Sequence, residues 1–334
     1  MTAAELAEGL ASYLTRVTGG PVAVAELRQL PGGASRETWA FEATFDGESC
    51  PRRLVLRRDP GQTSVDSDRA HEFHVLRAAH ASDVPVPRVH WLGDDAAVLG
   101  ARFFIMDYVA GETLARRLLR DPEYAGARRV MARQLGAILA RIHAIDVAAH
   151  GLEFLAAPPA GRSPAAAEIA RYEQLYRSLA PEPHPVIELA LRWLDRHAPA
   201  ARRQTLVHGD YRIGNVLFDH DGVRAILDWE LAHRGDPMED LGWMCVKAWR
   251  FGSPLPVGGV GERRDLFAAY EEAGGGPVDT GAVHFWEVFG NMKWAVICIA
   301  QAHAFLDGGV PSLELASLGR RTAEVEHELV RLID

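Results

Sequence analysis

The chain has 334 residues and a formal net charge of −9, from 36 lysines and arginines against 45 aspartates and glutamates. With 48% hydrophobic and 24% charged residues it matches ordinary globular proteins large enough for two lobes, which excludes disordered and fibrous classes. The acidic balance disfavours a nucleic-acid partner, and no apolar run approaches the ~20 residues that cross a bilayer. Three widely spaced cysteines argue against a disulfide framework or a structural zinc site. The first 18 residues lack a basic secretory start, so we expect a cytoplasmic protein.

The first third of the chain is dominated by strand patterns. Leucines at helical spacing predict a helix over residues 3–16. Strands are then predicted at Val22–Leu30, Glu37–Phe45, Arg52–Arg58, and near Arg88–Leu92 and Arg102–Tyr108. A second helix, Asp66–Ala81, lies between the third and fourth of these strands. The pattern predicts an α+β lobe built on a five-stranded antiparallel sheet with one inserted helix.

Beyond residue 109 the pattern becomes mainly helical. Helices are predicted at Glu112–Arg120, Ala125–Ile145, Ser163–Leu179 and Pro185–His197, and again from Asp240 onward. A short hairpin, Val216–Phe218 with Val223–Leu227, interrupts them. This change of composition predicts a lobe of residues 1–108 and a larger helical lobe of residues 109–334, an arrangement that suggests a ligand cleft between the two.

The most informative stretch is VHGDYRIGNVLF at 207–218, followed by AILDWE at 225–230. Asp210 and Asn215 are five residues apart on a turn, and the hairpin brings Asp228 back beside them. Phosphoryl transfer needs such a set, because one carboxylate orients the attacking hydroxyl and accepts its proton while an amide and a second carboxylate hold Mg²⁺. The stretch therefore predicts a kinase site.

The string His208-Gly-Asp-x-x-x-x-Asn215 followed by Leu-Asp228 resembles the signature of the aminoglycoside phosphotransferase and choline kinase-like family, distant relatives of protein kinases. The string DWELAHRGDPMEDLGW at 228–243 is similar to the subgroup that includes the kinase-like domains of acyl-CoA dehydrogenase fusions. The resemblance covers about residues 20–310. It implies a two-lobed protein-kinase-like fold with ATP and Mg²⁺ as cofactors. Residues 1–108 would bind the nucleotide, and residues 109–334 would carry the catalytic loop, the metal site and the substrate pocket.

The resemblance implies a role for each residue of the motif. Asp210 resembles the catalytic base, and Asn215 and Asp228 resemble the Mg²⁺ ligands. Asp240 is placed like the helix aspartate that holds the catalytic-loop backbone, although a simple N-cap is an equal alternative. His208 is expected to be structural, with its ring beneath the loop and a nitrogen bonded to backbone.

The nucleotide site implied by the resemblance lies in the first lobe. In kinase-like folds a basic residue on the third strand grips the phosphates and pairs with a glutamate on the next helix. Arg57 fits this position, where the family usually has lysine, and Glu72 can face inward to meet it. Backbone N–H groups of the loop containing Gly33 and Ser35 would cover the phosphates.

Two further features concern the adenine and the acceptor. Extended backbone near Asp107 and Val109 resembles the hinge that binds the adenine edge. Only eleven residues separate Asp228 from Asp240, too few for the peptide platform of protein kinases, so we expect a small hydroxylated substrate. Later side chains are candidates for substrate contact or for core packing: Trp243, Lys247, Trp249, Arg250, Trp286, Asn291, Lys293 and Trp294.

Two alternatives to a general small-molecule kinase remain open on the sequence. An aminoglycoside or related antibiotic-inactivating kinase would be expected to present an acidic wall, whereas the late helices mix basic and aromatic residues. A catalytically silent, nucleotide-binding pseudokinase is suggested by Arg57 in place of lysine. The intact Asp210, Asn215 and Asp228 weigh against that second alternative.

Overall fold

The computed structural model describes residues 1–30, 37–58, 69–179, 182–309 and 312–334. The chain forms two compact units, Met1–Ala81 with Val86–Ala110, and Ser82–Pro85 with Gly111–Asp334. Residues 82–85 belong to the second unit because the Pro85 carbonyl accepts a hydrogen bond from the N–H of Ile226 at 2.8 Å.

The first unit is an antiparallel sheet with helices. Its elements are α1 (Ala3–Thr18), β1 (Val22–Gln29), β2 (Glu37–Phe45), β3 (Arg52–Arg58), α2 (Arg69–Ala81), β4 (Val89–Gly93), α3 (Ala96–Leu99) and β5 (Phe103–Asp107). The strand order is β1-β2-β3-β5-β4, and every neighbouring pair is antiparallel. The five-stranded antiparallel sheet expected from the sequence is thus confirmed.

Helices cover both faces of this sheet. Helix α1 starts at a capping box formed by Thr2 and Glu5, and its leucines join the hydrophobic core with Leu54 and Leu56 of β3. Helix α2 covers the opposite face, where Phe73 meets Phe104 edge to face. Side chains alternate along a strand. Val55 and Arg57, which alternate with those two leucines, therefore face α2.

The second unit is mainly helical. Its helices are α4 (Ala115–Arg120), α5 (Ala125–His143), α6 (Pro164–Leu179), α7 (Pro185–His197), α8 (Met238–Cys245), α9 (Arg263–Glu272), α10 (Thr280–Leu306), α11 (Leu313–Leu318) and α12 (Thr322–Ile333). Its strands are β6 (Thr205–Val207), β7 (Val216–Asp219), β8 (Gly222–Ile226) and β9 (His233–Gly235). Single 3-10 turns lie at Pro122–Tyr124, Ile213–Asn215, Lys247–Arg250 and Gly319–Arg321. The long helix α10 packs against α6, α7, α8, α11 and α12, and therefore lies at the centre of the unit.

The short elements are where the sequence-based prediction was incomplete. Strands β6 and β9, which pair with each other, and helix α3 were not predicted, because three or four residues carry no detectable periodicity. The helix expected from Glu112 begins at Ala115, since the backbone of Glu112 pairs with that of Phe218. Within the described residues, none of the helices has the length and apolarity needed to span a membrane.

Candidate active site

The loop after β6 brings the predicted catalytic residues together. Asn215 Nδ2 donates hydrogen bonds to the Asp210 carboxylate at 2.6 Å and to the Asp210 carbonyl at 3.0 Å. The N–H of Leu227 donates to the Asn215 carbonyl at 2.9 Å, which fixes the strand end that carries Asp228. The hairpin β7–β8 thus returns Asp228 to the loop, as the spacing predicted.

Asp228 occupies an unusual backbone conformation. Its φ is +65°, in the left-handed region that residues other than glycine rarely adopt. Aspartate tolerates this region better than most residues, at a cost of about 1 kcal/mol or more. Strained backbone of this kind is often retained at functional sites, and the role of Asp228 as a Mg²⁺ ligand stays a prediction.

The donor atoms fit a magnesium ion. Both contacts of Asn215 to Asp210 use Nδ2, so the Oδ1 of the amide is directed elsewhere. An amide oxygen and the Asp228 carboxylate are hard ligands of the kind that Mg²⁺ prefers. Asn215 and Asp228 could therefore hold the ion next to Asp210.

The Asp210 carboxylate has further partners that the sequence did not reveal. Trp243 Nε1 donates to Oδ1 at 2.8 Å. Arg212 Nε lies 3.0 Å from Oδ1 and 3.1 Å from Oδ2, and its guanidinium stacks over the Trp249 ring. With the amide of Asn215, these donors hold the carboxylate in one orientation.

Asp240 anchors the backbone of the catalytic loop. Its Oδ2 accepts the N–H of His208 at 2.8 Å, and its Oδ1 accepts the N–H of Gly209 at 3.0 Å. Burial opposes ionisation of this carboxyl, but the adjacent His143, 3.0 Å away, and the backbone donors lower its pKa. The expected anchoring contact is confirmed, and the N-cap alternative is wrong because Pro237 precedes the first residue of α8.

His208 is buried beneath this loop. Its Nδ1 accepts the N–H of Asp210 at 3.2 Å, so Nε2 carries the proton and donates to the Leu227 carbonyl at 3.1 Å. Its ring packs on Trp229. Burial lowers the pKa of His208, although nearby carboxylates oppose the shift. The histidine is a structural support, as expected.

Gly209 and Lys293 also hold the catalytic loop in place. Gly209 has a φ of +77°, and a Cβ there would lie 2.4 Å from the Leu231 carbonyl oxygen, so the position requires glycine. Its carbonyl accepts a hydrogen bond from the ammonium of Lys293 at 2.8 Å. That ammonium also lies 4.6 Å from the centre of the Trp243 ring. Lys293 and Trp243 are each only 2% exposed. Of the two interpretations that the sequence left open for them, the structure therefore supports core packing rather than substrate contact.

Several other substrate candidates are also engaged within the protein. Lys247 pairs with Glu328 at 2.6 Å, and Arg250 pairs with Glu287 at 2.9 Å. Buried positions are taken by Trp249, Trp286 and Asn291. The structure therefore supports the packing interpretation for these three buried residues, whereas Lys247 is exposed and Trp294 is half-buried, so for them the choice between substrate contact and packing stays open.

In the first unit the predicted ion pair is present. Arg57 Nη1 lies 2.5 Å from Glu72 Oε1, and the other Glu72 oxygen contacts Arg69. Glu72 is buried, so it faces inward rather than to solvent. Arg58 points to the other side of the strand, where it pairs with Glu37 at 2.9 Å. Gly33 and Ser35, predicted to cover the phosphates, lie outside the described residues.

The predicted hinge follows β5. The N–H of Asp107 donates to the Arg88 carbonyl, and its carboxylate lies 2.6 Å from His90 Nε2. The N–H of Tyr108 donates to the Arg53 carbonyl at 3.0 Å. Among the described residues, no acceptor is bonded to the N–H of Val109, which leaves this donor for a ligand.

Comparison with known proteins agrees with this arrangement. A profile described as "phosphotransferase enzyme family" matches residues 26–283, more than half of the chain. The chain belongs to the phosphotransferase enzyme family. The family resemblance drawn from the motif at 208–243 is therefore confirmed.

Two relatives of this phosphotransferase differ in how much of their own length the match covers. Mouse "acyl-CoA dehydrogenase family member 10" is 31% identical over 262 residues, which cover 75% of this chain and 23% of the mouse protein. The chain thus spans about a quarter of that relative's length. A "4-hydroxytryptamine kinase" of Psilocybe cyanescens is 24% identical over 97% of this chain and 96% of its own.

Solved structures share the fold over the whole phosphotransferase chain. A "putative aminoglycoside phosphotransferase" from Ralstonia eutropha has a TM-score of 0.75 and 25% identity, and the match covers 98% of this chain and 97% of that one. A thermostable aminoglycoside phosphotransferase mutant, in ternary complex with ADP and hygromycin B, has a TM-score of 0.62 and 17% identity, and covers 97% and 98%. The expected kinase-like fold is confirmed.

Proposed function

We propose that this phosphotransferase is an ATP- and Mg²⁺-dependent kinase that moves the γ-phosphate of ATP to a hydroxyl group of a small molecule. The observation that carries the proposal is the hydrogen-bonded pair of Asp210 and Asn215 on a loop whose backbone Asp240 anchors. A carboxylate held in this way can orient an acceptor hydroxyl and accept its proton. The alternative of a silent pseudokinase gives no reason for so many donors to converge on one carboxylate.

The proposed step is an in-line displacement. The acceptor oxygen forms a bond to the γ-phosphorus while the bond from that phosphorus to the β–γ bridging oxygen breaks, and ADP leaves with the electron pair. The hydroxyl proton passes to the carboxylate of Asp210 and then to solvent. Trp243 and Arg212 keep the carboxylate turned toward the acceptor by donating to its oxygens.

The nucleotide contacts extend the proposal to residues 1–108. Arg57, fixed by Glu72, would bind phosphate oxygens, and its planar guanidinium can make two parallel hydrogen bonds to them. Asn215 and Asp228 would hold Mg²⁺, which when bound neutralises the charge that develops on the phosphates. The remaining proposed nucleotide contacts are Gly33, Ser35, Asp107 and Val109.

The acceptor is proposed to be a small molecule because the chain between Asp228 and Asp240 is short and internally packed. Strand β9 and the start of α8 occupy this stretch, and β9 pairs with β6 rather than forming an open platform. The Psilocybe cyanescens relative, which matches nearly the whole chain, is named for a small hydroxylated amine, and this supports the substrate class.

The test is a screen of purified protein with ATP and Mg²⁺ against hydroxylated compounds, including aminoglycosides, with detection of phosphorylated product by mass spectrometry. We expect a product with at least one non-antibiotic alcohol. A product with aminoglycosides alone would identify the antibiotic-inactivating alternative. ATP binding without any product across the panel would favour the silent pseudokinase and contradict the proposal.

A further inference from the structure

A second group of polar side chains is buried in the helical unit and takes no part in the proposed transfer. Glu168 of α6, His233 of β9 and Glu239 of α8 each present one ligand atom, and these three atoms lie within 4.8 Å of one another. The three residues, here called the α6–β9–α8 cluster, are all buried. His233 and Glu239 are six residues apart on consecutive elements, whereas Glu168 lies on α6, far earlier in the sequence, so the fold brings α6 to the β9–α8 segment.

The orientation of His233 makes its Nε2 the inward-facing atom. Its Nδ1 lies 2.9 Å from the Leu231 carbonyl, which can only accept, so Nδ1 carries a hydrogen. Nε2 then faces Glu239 Oε2 at 3.2 Å. A nitrogen lone pair and a carboxylate oxygen repel unless a positive ion or a proton lies between them. A backbone carbonyl that fixes the distal ring nitrogen in this way is the usual second contact of a metal-bound histidine.

Two carboxylate oxygens of the cluster lack hydrogen-bond donors. Among the described residues, no donor is bonded to the buried atoms Glu168 Oε2 and Glu239 Oε1. Lys293 Nζ lies 3.6 Å from Glu239 Oε1, beyond hydrogen-bond distance, and donates instead to the Gly209 carbonyl. Arg171 approaches only the other oxygen of Glu168, at 3.6 Å. Leaving buried charged oxygens without hydrogen bonds is costly, and a proton on His233 Nε2 would face Glu239 Oε2, which is neither of these two atoms.

We propose that the α6–β9–α8 cluster is a binding site for a divalent transition-metal ion of the zinc class. One imidazole nitrogen and two carboxylate oxygens are a ligand set that such ions accept, whereas Mg²⁺ favours oxygen ligands alone. The ion would satisfy both unpartnered oxygens and replace the proton between His233 and Glu239. The nearby cationic side chains of Lys293, Arg171 and Arg234 oppose it and limit the affinity.

Access to the site is provided by a small cavity. The cavity has a volume of about 40 Å³ and is lined by Glu168, His233 and Arg234 together with small apolar residues near Pro158 and Pro164. This is room for one or two water molecules, so a bound ion could keep water as its fourth ligand. The ion would tie α6 to the segment between Asp228 and Asp240, a role that does not depend on the proposed kinase activity.

The test uses nucleotide-free protein stripped of metal with a chelator and titrated with Co²⁺, whose visible absorption reports low-coordinate sites with nitrogen ligands. We expect one equivalent to bind, Zn²⁺ to displace it and Mg²⁺ not to. Glu168→Gln and His233→Gln should abolish the signal. Glu173→Gln, a change at a half-buried position on the same helix outside the cluster, should retain it, as should Asp228→Asn, which alters the proposed Mg²⁺ site.

Three results would overturn the proposal. One is the absence of Co²⁺ binding by folded wild-type protein at about 1 mM metal. Another is retention of the signal in both cluster variants, and the third is its loss only in Asp228→Asn. If the cluster variants do not fold, X-ray absorption of the Zn²⁺-loaded wild type decides. An imidazole nitrogen at about 2.0–2.1 Å is expected, and an all-oxygen shell contradicts the site.

Discussion

The indole of Trp243 offers a selective way to disturb the proposed catalytic carboxylate. In Trp243→Phe the hydrogen bond from Nε1 to Asp210 Oδ1, 2.8 Å long, is lost while an aromatic ring remains. A hydrogen bond to a charged acceptor contributes about 1.5–3 kcal/mol, and the smaller ring adds a cavity cost. Because Trp243 is 2% exposed, we expect the free energy of unfolding to fall by about 2–4 kcal/mol.

Turnover should fall as well. Arg212 and Asn215 still hold the carboxylate of Asp210, so we expect part of the lost energy to reach the transition state. About 1.4 kcal/mol of it would lower kcat about tenfold. The assay is the initial rate with the acceptor found in the screen, at saturating ATP. Urea unfolding of the same sample gives the stability, so that only folded protein is counted.

The matched control is Trp286→Phe. Trp286 is also buried and donates its Nε1 hydrogen to a carboxylate, but that carboxylate belongs to Asp236 rather than to Asp210. The same atoms are removed, so a similar loss of stability is expected with kcat within about twofold of wild type. The reasoning is refuted if both variants lose turnover equally, or if Trp243→Phe is destabilised yet turns over at the wild-type rate.

Three further predictions concern other parts of the molecule. Gly209→Ala should lower the free energy of unfolding by about 2 kcal/mol or more in urea titrations, because the φ of Gly209 is +77° and a Cβ would meet a backbone oxygen at 2.4 Å. Unchanged stability would contradict the conclusion that the catalytic loop is held in this conformation. Arg57→Gln should weaken ATP binding about tenfold or more in calorimetry, while Arg58→Gln, on the other side of β3, should leave it unchanged; equal losses would remove Arg57 from the phosphate site. In folded protein an aromatic disulfide reagent should label only the exposed Cys50 rapidly, because burial raises the pKa of the other two thiols to about 12; fast labelling of more than one thiol would contradict their burial.

The sequence was informative wherever the pattern is local. The position of Arg57 on the third strand and of Glu72 on the next helix was enough to predict their ion pair, and side-chain alternation along the strand accounts for Arg58 on the other face. The five-residue spacing of Asp210 and Asn215, followed by a tight hairpin, was enough to predict that they are close together and that the chain returns to Asn215 just before Asp228. In each of these cases the geometry of one strand, helix or turn sets the position of the side chain.

Contacts made across the fold could not be predicted in this way. His143 reaches Asp240 from 97 residues away, and Lys293 reaches the Gly209 carbonyl from 84 residues away. Nothing in the sequence near His143 indicates its contact with Asp240, and Lys293 was noticed only as a candidate for substrate contact or packing, because these contacts depend on how α5 and α10 pack. Trp243 was noticed as a substrate candidate, but its role as a donor to Asp210 required the orientation of α8.

The most direct test of the central claim is the rate of γ-phosphate transfer from labelled ATP to the identified acceptor by wild type, Asp210→Asn and Asp195→Asn. Asp195 is exposed on α7 and serves as the matched control for the loss of one carboxylate. Because general-base assistance supplies about 10²–10⁴-fold, Asp210→Asn should fall by at least about a hundredfold while Asp195→Asn remains near wild type. A rate for Asp210→Asn within about tenfold of wild type would contradict the assignment of Asp210 as the catalytic base.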